Sequence, residues 1–338
     1  MNILITGGVG FIGTNTAIYF SKNKNNYITI VDNFSRKNVD KNALFIKDNY
    51  PQVKIIKTDV IDTNKYLNEI KKADVIIHLA GQTAVTTSMI NPEKDFQSNI
   101  YSTFKLLESV RTNNPKAIFI YSSTNKVYGD LNNHRFKKNS KEKNYQDVWH
   151  PNGIDESENL DFISPYGCSK GAADLYCLDY GRVYNLNTVV FRQSCIYGPF
   201  QFGVEDQGWV AFFSKQFLFK KSLTIFGDGY QIRDLLYVED LIDAYQLAIK
   251  NIKKIKGQVF NIGGGVKNAY SLLQVIDILK DHFGYRIKIG FDKSRLGDQK
   301  YFVSKNSKIK DILNWKPKTD FKKGIKPMID WQRNNLTI

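Results

Sequence analysis

Through the first half of the chain, short runs of apolar residues alternate with longer stretches whose apolar positions recur every three or four residues. The runs at 3–6, 27–32, 53–57, 74–79, 117–122 and 188–192 predict strands, and the stretches 92–111 and 165–184 predict helices. Apolar runs too continuous to leave a solvent face, each separated from the next by a helix, predict a parallel sheet covered on both sides. The expected fold class is α/β, a doubly wound parallel sheet.

Beyond about Gly198 the rhythm changes. Shorter candidate strands at 223–226, 258–261 and 287–291 mix with helical stretches and with the turn clusters Gly227-Asp228-Gly229 and Gly263-Gly264-Gly265. This predicts a first domain over 1–198 and a smaller α+β lobe over 199–338, with some segments of the lobe returning to the sheet. Residues 130–150 are polar, rich in Lys and Asn and without a period. They read as a long inserted loop, a lid or a surface insertion.

Directly after the first strand stands Gly7-Gly8-Val9-Gly10-Phe11-Ile12-Gly13, at the opening of a helix. Glycines at 7, 10 and 13 permit a tight turn and let backbone amides approach a pyrophosphate at the helix N-terminus. A Gly-rich turn by itself is weak evidence for a dinucleotide. Here Asp32 ends the second strand, where a carboxylate accepts hydrogen bonds from ribose hydroxyls and repels the extra phosphate of NADP. Arg36 nearby is the residue that could hold that phosphate instead. Asp59-Val60 after the third strand would border the adenine, and Leu79-Ala80-Gly81 after the fourth would line the cofactor. Four strand ends in register point to a Rossmann-type domain that binds NAD.

Tyr166 and Lys170 form a Tyr-x-x-x-Lys pair, which a helix places on one face. A nearby ammonium and a positive nicotinamide favour the phenolate and would lower the tyrosine pKa toward neutrality, making Tyr166 a general base for a hydroxyl. Alone the pair means little; behind a nucleotide motif and Ser164-Pro165 it means a great deal. Upstream, Ser122-Ser123-Thr124 ends the fifth strand. Thr124, with Ser123 beside it, is the candidate partner for the reacting alcohol oxygen.

Composition removes other classes. With 42% hydrophobic and 24% charged residues, the 338-residue chain is expected to be globular, not disordered. No apolar run approaches the roughly 20 residues that span a bilayer. The N-terminus already reads as a strand, so no signal peptide is expected, and the cytoplasm is the expected compartment. Cys168, Cys177 and Cys195 suit neither a disulfide framework nor a zinc site, and His78, His134, His150 and His282 form no metal-ligand pattern in the sequence, so no metal is expected. The net charge of +15 raises the question of nucleic acid. Its lysines are scattered and not striped, and no aromatic motif accompanies them, so neither a nucleic-acid nor a membrane partner is expected.

The glycine motif, Asp32, Leu79-Ala80-Gly81, Ser122-Ser123-Thr124 before Val127-Tyr128-Gly129, and Tyr166 with Lys170 together resemble the extended short-chain dehydrogenase/reductases of sugar-nucleotide metabolism. The resemblance continues through Arg192, Ile196-Tyr197-Gly198-Pro199, Arg233-Asp234, Asn261-Ile262-Gly263-Gly264, Trp315 and Pro317, and so covers essentially the whole chain. It implies NAD contacts from Phe11, Ile12, Asp32, Asn33, Ser35, Arg36, Asp59, Val60, Ala80, Gln82, Asn99, Ser122, Tyr166 and Lys170. It also implies a nucleotide diphosphate held by Arg233 and Arg295, a ribose on Asp298, and Gln207, Trp209 and Val210 beside the sugar nucleotide.

Segments 122–130, 164–174 and 206–210 resemble, more narrowly, the branch of the family that inverts CDP-linked sugars at C2, which implies an isomerase, a CDP-sugar and service to lipopolysaccharide O-antigen synthesis. Dehydrating members carry an Asp-Glu pair after the threonine; here those positions are Asn125 and Lys126, which disfavours elimination. A UDP-sugar 4-epimerase is the alternative within the fold. A non-catalytic NAD-sensing scaffold would be expected to lose Thr124, Tyr166 or Lys170, and all are present. The family resemblance favours a homodimer or homotetramer.

Overall fold

The computed structural model describes residues 1–336. In chain order its strands are β1 (Asn2–Thr6), β2 (Tyr27–Asp32), β3 (Lys54–Lys57), β4 (Val75–His78), β5 (Ile118–Thr124), β6 (Phe136–Asn139), β7 (Asn144–Asp147) and β8 (Asn187–Gln193). They continue with β9 (Cys195–Tyr197), β10 (Leu223–Phe226), β11 (Ile232–Tyr237), β12 (Gln258–Ile262), β13 (Ala269–Ser271), β14 (Ile289–Asp292) and β15 (Tyr301–Phe302). The chain divides into two compact units. One comprises Met1–Thr124, Pro165–Arg192 and Ile242–Phe260; the other comprises Asn125–Ser164, Gln193–Leu241 and the chain from Asn261 onward.

The first unit is built on a seven-stranded sheet of order β12-β8-β5-β4-β1-β2-β3. β1 lies parallel to both β2 and β4, with Thr6 opposite Val31 on one side and His78 on the other. The chain winds outward from β1 to β3 and then crosses back to β4. That reversal opens a crevice at the carboxyl ends of β1 and β4, where doubly wound sheets bind their ligands. Leu4, Ile76, Phe119 and Val190 from the strands pack with Leu106, Val110, Ala173 and Cys177 from helices into one buried cluster. The helix expected over 92–111 exists with an interruption: Pro92–Phe96 and Ser102–Asn113 are α-helical, and Gln97–Tyr101 between them is a π-helical turn. Such turns recur at functional positions because they re-aim a side chain.

At the end of β4 the buried His78 ring bridges two hydroxyls, with Nδ1 2.6 Å from Thr6 Oγ1 and Nε2 2.9 Å from Thr103 Oγ1. Burial, assisted by the charge of Lys170, pushes its pKa down to about 3. The folded state therefore holds His78 neutral while the unfolded chain protonates it below about pH 6.5. Its contribution to stability is complete above that value and is lost as pH falls toward 3. Over that window wild type should lose about 1.4 kcal/mol per pH unit more than a His78→Gln variant, measured as urea midpoints. Equal slopes would remove His78 as the cause.

In the second unit β11 pairs with β13 antiparallel and with β15 and β9 in parallel, while β10 and β14 form a separate parallel pair. Its core gathers Tyr197, Phe217, Ile225, Leu235, Phe321 and Met328. The helix Leu272–Phe283 begins with a reciprocal cap between Ser271 and Gln274 and ends at Gly284, whose φ of +74° suits glycine.

Residues 130–150 belong to this second unit, and they are not the loop the sequence predicts. β6 and β7 form an antiparallel hairpin, with Phe136 opposite Asp147 and Asn139 opposite Asn144. Period-2 apolarity is missing because the hairpin is held by polar contacts. Lys138 and Tyr145 both reach Asp228, each at 2.8 Å, and Lys143 reaches Asp277 at 2.6 Å. Among the described residues no helix is long and apolar enough to cross a membrane.

Candidate active site

Thr6, the last residue of β1, leads into Gly7 at φ +68°, where a Cβ would stand 2.7 Å from the Ala80 amide nitrogen. Only glycine lets the turn after β1 lie this close to the turn after β4. Gly13 is equally constrained, since a Cβ there would come within 2.5 Å of the Gly7 carbonyl oxygen. A Cβ on Gly10 would sit 3.1 Å from the same oxygen. Gly10 is also the N-cap of the helix Phe11–Ser21, and it brings no side chain to cap the first turn. The amides of Phe11, Ile12 and Gly13 therefore face the crevice at the positive end of the helix dipole. That cradle fits a dinucleotide pyrophosphate.

Asp32 accepts hydrogen bonds from the Val9 amide at 3.2 Å and the Phe34 amide at 2.8 Å. Burial raises its pKa and these two donors pull it back. Asn33 links the next strand end by donating to Asp59 Oδ2 at 2.8 Å, while the Ser35 amide donates to Asn33 Oδ1 at 3.0 Å. Asp59 also accepts from the Ile61 amide, and the Val60 carbonyl accepts from Tyr66. These four strand ends offer a carboxylate for a ribose and an apolar edge at Val60 for a base, which fits NAD. The Arg36 guanidinium donates to Thr83 Oγ1. After β4, the Leu79 amide donates to the Thr6 carbonyl. The Gln82 side chain is engaged with the backbone of Ala84.

Asn99 occupies the π-helical turn and is buried. Its Nδ2 donates to Ser169 Oγ at 2.9 Å and to Asp95 Oδ1 at 3.1 Å. A Cβ on Gly81 would collide with Asn99 Oδ1, so the turn after β4 and the π-helical turn abut here.

The helix Pro165–Val183 carries Tyr166 and Lys170, both buried, and the Tyr166 amide donates to Ser88 Oγ at 3.1 Å. Burial pushes the Tyr166 pKa up to about 12; a hydrogen bond from Thr124 and the charge of Arg36 pull the other way, and Asp95 adds to the rise. The sequence expectation named Lys170 as the cation acting on Tyr166. In the structure the Lys170 ammonium donates to the Ser122 carbonyl at 2.5 Å and lies 4.3 Å from the centroid of the Tyr121 ring, and Arg36 is a further cation whose charge favours the phenolate. Burial lowers the Lys170 pKa to about 8 against the opposing charges of Cys177, Asp174 and Asp95.

Successive residues of a strand point to opposite faces. Thr124 meets Tyr166, and Ser123 faces the other way, its hydroxyl donating to Asp174 Oδ2 at 2.9 Å. The structure thus separates Ser123 from the reacting pair and makes it part of the support beneath. Asp174 in turn pairs with Arg192 of β8, Nε to Oδ2 at 2.8 Å, both side chains almost wholly buried.

Of the second unit's candidates, Arg233 pairs with Asp298 at 2.5 Å, and Gln231 donates to the same carboxylate at 3.3 Å. Lys126 Nζ donates to the Gly297 carbonyl at 3.0 Å and stands 3.8 Å from Asp298. Burial and the neighbouring Arg233 press the Lys126 pKa down to about 8. Burial would raise that of Asp298, but Arg233 and Lys126 outweigh it and hold the carboxyl low. Two cations share one carboxylate, an excess of positive charge suited to a diphosphate. Arg295 stacks over Phe226 at 3.8 Å and pairs with Asp206 at 3.1 Å. Trp209 Nε1 donates to Cys195 Sγ at 3.4 Å, and Gln207 closes a tight turn with Val204 through two backbone hydrogen bonds. Val210 is buried and packs in the core of this unit.

Sequence reasoning missed Asp95, Asp174 and Gln299. Asp174 follows Lys170 by one helical turn, a spacing that was legible. Gln299, fully buried, accepts from Asn125 Nδ2 at 3.2 Å and donates to the Gly129 carbonyl at 2.7 Å, and no local pattern signals it.

A glycine cradle between β1 and β4, a carboxylate ending β2 and a buried Thr-Tyr-Lys group define an NAD-dependent enzyme of the short-chain dehydrogenase type. The sequence model of the NAD dependent epimerase/dehydratase family matches residues 3–263, and the chain belongs to that family. Among individual relatives, it is 44% identical to the CDP-paratose 2-epimerase of Salmonella typhi over 98% of this chain and 99% of that one. It is 34% identical to a putative UDP-glucose 4-epimerase of Methanocaldococcus jannaschii, covering 98% and 99%. The UDP-glucuronic acid 4-epimerase of Bacillus cereus, solved with UDP-glucuronic acid and NAD, superposes with a TM-score of 0.86 at 29% identity, covering 99% and 100%.

Proposed function

We propose that this chain is an NAD-dependent nucleotide-sugar epimerase that interconverts CDP-paratose and CDP-tyvelose by inversion at C2. The observation that carries the reading is the Thr124–Tyr166 hydrogen bond beside Lys170, followed by Asn125 and Lys126 where eliminating relatives place carboxylates. This combination serves alcohol oxidation and lacks the acid and base that expel water.

Bound NAD would take hydrogen from the sugar carbon as hydride, return it later in the cycle, and contribute a positive charge while oxidised. Tyr166 Oη receives the proton of the sugar hydroxyl as the C–H bond breaks and gives it back as the carbonyl is reduced. Thr124 holds both the tyrosine oxygen and the reacting oxygen. Lys170, anchored on Ser122, binds the nicotinamide ribose. Turning the keto sugar over before reduction exchanges the face that is reduced, and so inverts the carbon. In the second unit Arg233, Lys126 and Arg295 supply the charge for the diphosphate. Asp298 binds the cytidine ribose, and Gln207 and Trp209 border the sugar nucleotide. The family resemblance supports a cytoplasmic homodimer or homotetramer serving O-antigen synthesis.

The test is turnover of CDP-, UDP-, GDP- and dTDP-linked sugars, with products read by NMR in heavy water. CDP-paratose should equilibrate with CDP-tyvelose without solvent deuterium at C2, and dTDP-glucose should yield no 4-keto-6-deoxy sugar. Deuterium at C2 would exclude a hydrogen carried within the protein. Inversion at C4 would move the enzyme to the 4-epimerases.

A further inference from the structure

The hairpin β6–β7 closes at its open end on a group of side chains that the proposed reaction does not use. His134 precedes β6, Asp147 ends β7 and His150 follows three residues later. One potential ligand atom from each lies within 4.8 Å of the other two. The sequence shows no metal-ligand spacing here because the hairpin separates His134 from Asp147; folding brings them together.

Their donor atoms converge. Asp147 is buried, and its Oδ1 accepts from the Trp149 amide at 2.9 Å and the His150 amide at 3.0 Å. This fixes the carboxylate with Oδ2 facing both imidazoles. His134 Nδ1 is hydrogen-bonded to Oδ2 at 2.6 Å, and its other nitrogen, Nε2, to Glu158 Oε2 at 3.1 Å. An ion taking the place of the proton between Nδ1 and Oδ2 would leave Glu158 to orient the ring from Nε2, as carboxylates commonly do for histidine ligands. His150 Nδ1 lies 3.4 Å from Asp147 Oδ2, is buried and makes no hydrogen bond. Two ligands on one tetrahedral zinc, bonded at about 2.0–2.1 Å, stand about 3.3 Å apart. The two histidine rings stack with centroids 4.4 Å apart.

We propose that His134, Asp147 and His150 bind a divalent transition-metal ion, zinc foremost, with water as fourth ligand and Glu158 orienting His134. Two imidazoles and one carboxylate suit zinc, whereas magnesium and calcium prefer all-oxygen shells. The ion ties the two ends of the hairpin together, and through β6 and β7 steadies the contacts of Lys138 and Tyr145 with Asp228.

The test uses full-length, tag-free protein stripped with chelator and titrated with zinc chloride, with metal content and calorimetric affinity as readouts. Wild type should take up one zinc per chain with a raised melting temperature. His150→Ala, at a half-exposed position that tolerates truncation, should lose that zinc. Glu158→Gln should bind about 10- to 100-fold more weakly. Failure of the wild type to bind zinc, wild-type affinity in His150→Ala, or magnesium competing equally would each overturn the proposal.

Discussion

Replacing Tyr166 with Phe should cut turnover by about 10²- to 10⁴-fold, the usual consequence of losing one positioned acid/base. NAD content of the purified variant should remain near wild type. The phenol oxygen is the atom that Thr124 hydrogen-bonds, and the ring without it still fills the same buried space. Lys170→Ala should lose activity and NAD together, because its ammonium is held on the Ser122 carbonyl at the end of β5, where the nicotinamide ribose would lie. Nucleotide released by denaturation distinguishes the two. A tyrosine variant with wild-type turnover would sink the assignment of the base, and recovery of NADP would overturn the reading of Asp32.

The second large effect is on stability. Asp174→Ala should cost about 3–5 kcal/mol, because it removes the buried carboxylate that faces the buried Arg192 guanidinium. Against a typical total of about 5–15 kcal/mol this is a severe loss, read directly from urea unfolding. Asp174 takes both Arg192 and Ser123, so it ties the helix bearing Tyr166 to β5 and β8. Replacing both charges, as in Asp174→Leu with Arg192→Met, should recover much of the loss, since apolar pairs of similar volume substitute well for buried ion pairs. An Asp174→Ala variant within about 1 kcal/mol of wild type would show that the pair does not hold the helix in place.

Comparison of Ser123 with Thr124 shows how the site came to be partly legible. Both hydroxyls were visible at the end of an apolar run, and the sequence reading put Thr124 first with Ser123 beside it. The pleat of β5 chooses: one faces Tyr166 and the other faces Asp174. Lys170 carries the same lesson in electrostatic form. Helical spacing put it on the face of Tyr166, and the fold adds what spacing cannot show: its ammonium is anchored on the Ser122 carbonyl, and Arg36, distant in sequence, also acts on the tyrosine.

The features legible in the residues are those that depend on local covalent and steric demands. The strands β1 to β5 announced themselves as apolar runs between helices. Gly7 and Gly13 stand where a Cβ would strike backbone, and Tyr166 with Lys170 sit one helical turn apart. Each of these is a short-range constraint written in neighbouring residues. Only the tertiary structure decided the rest. It converted the polar 130–150 segment into a hairpin, bent the 92–113 helix through a π turn at Asn99, and drew His134 to Asp147 and Arg233 to Asp298. These features rest on charge pairs and hydrogen bonds between residues far apart in the chain. A polar side chain carries no periodic mark of its partner, whereas an apolar one is marked by the face it must bury.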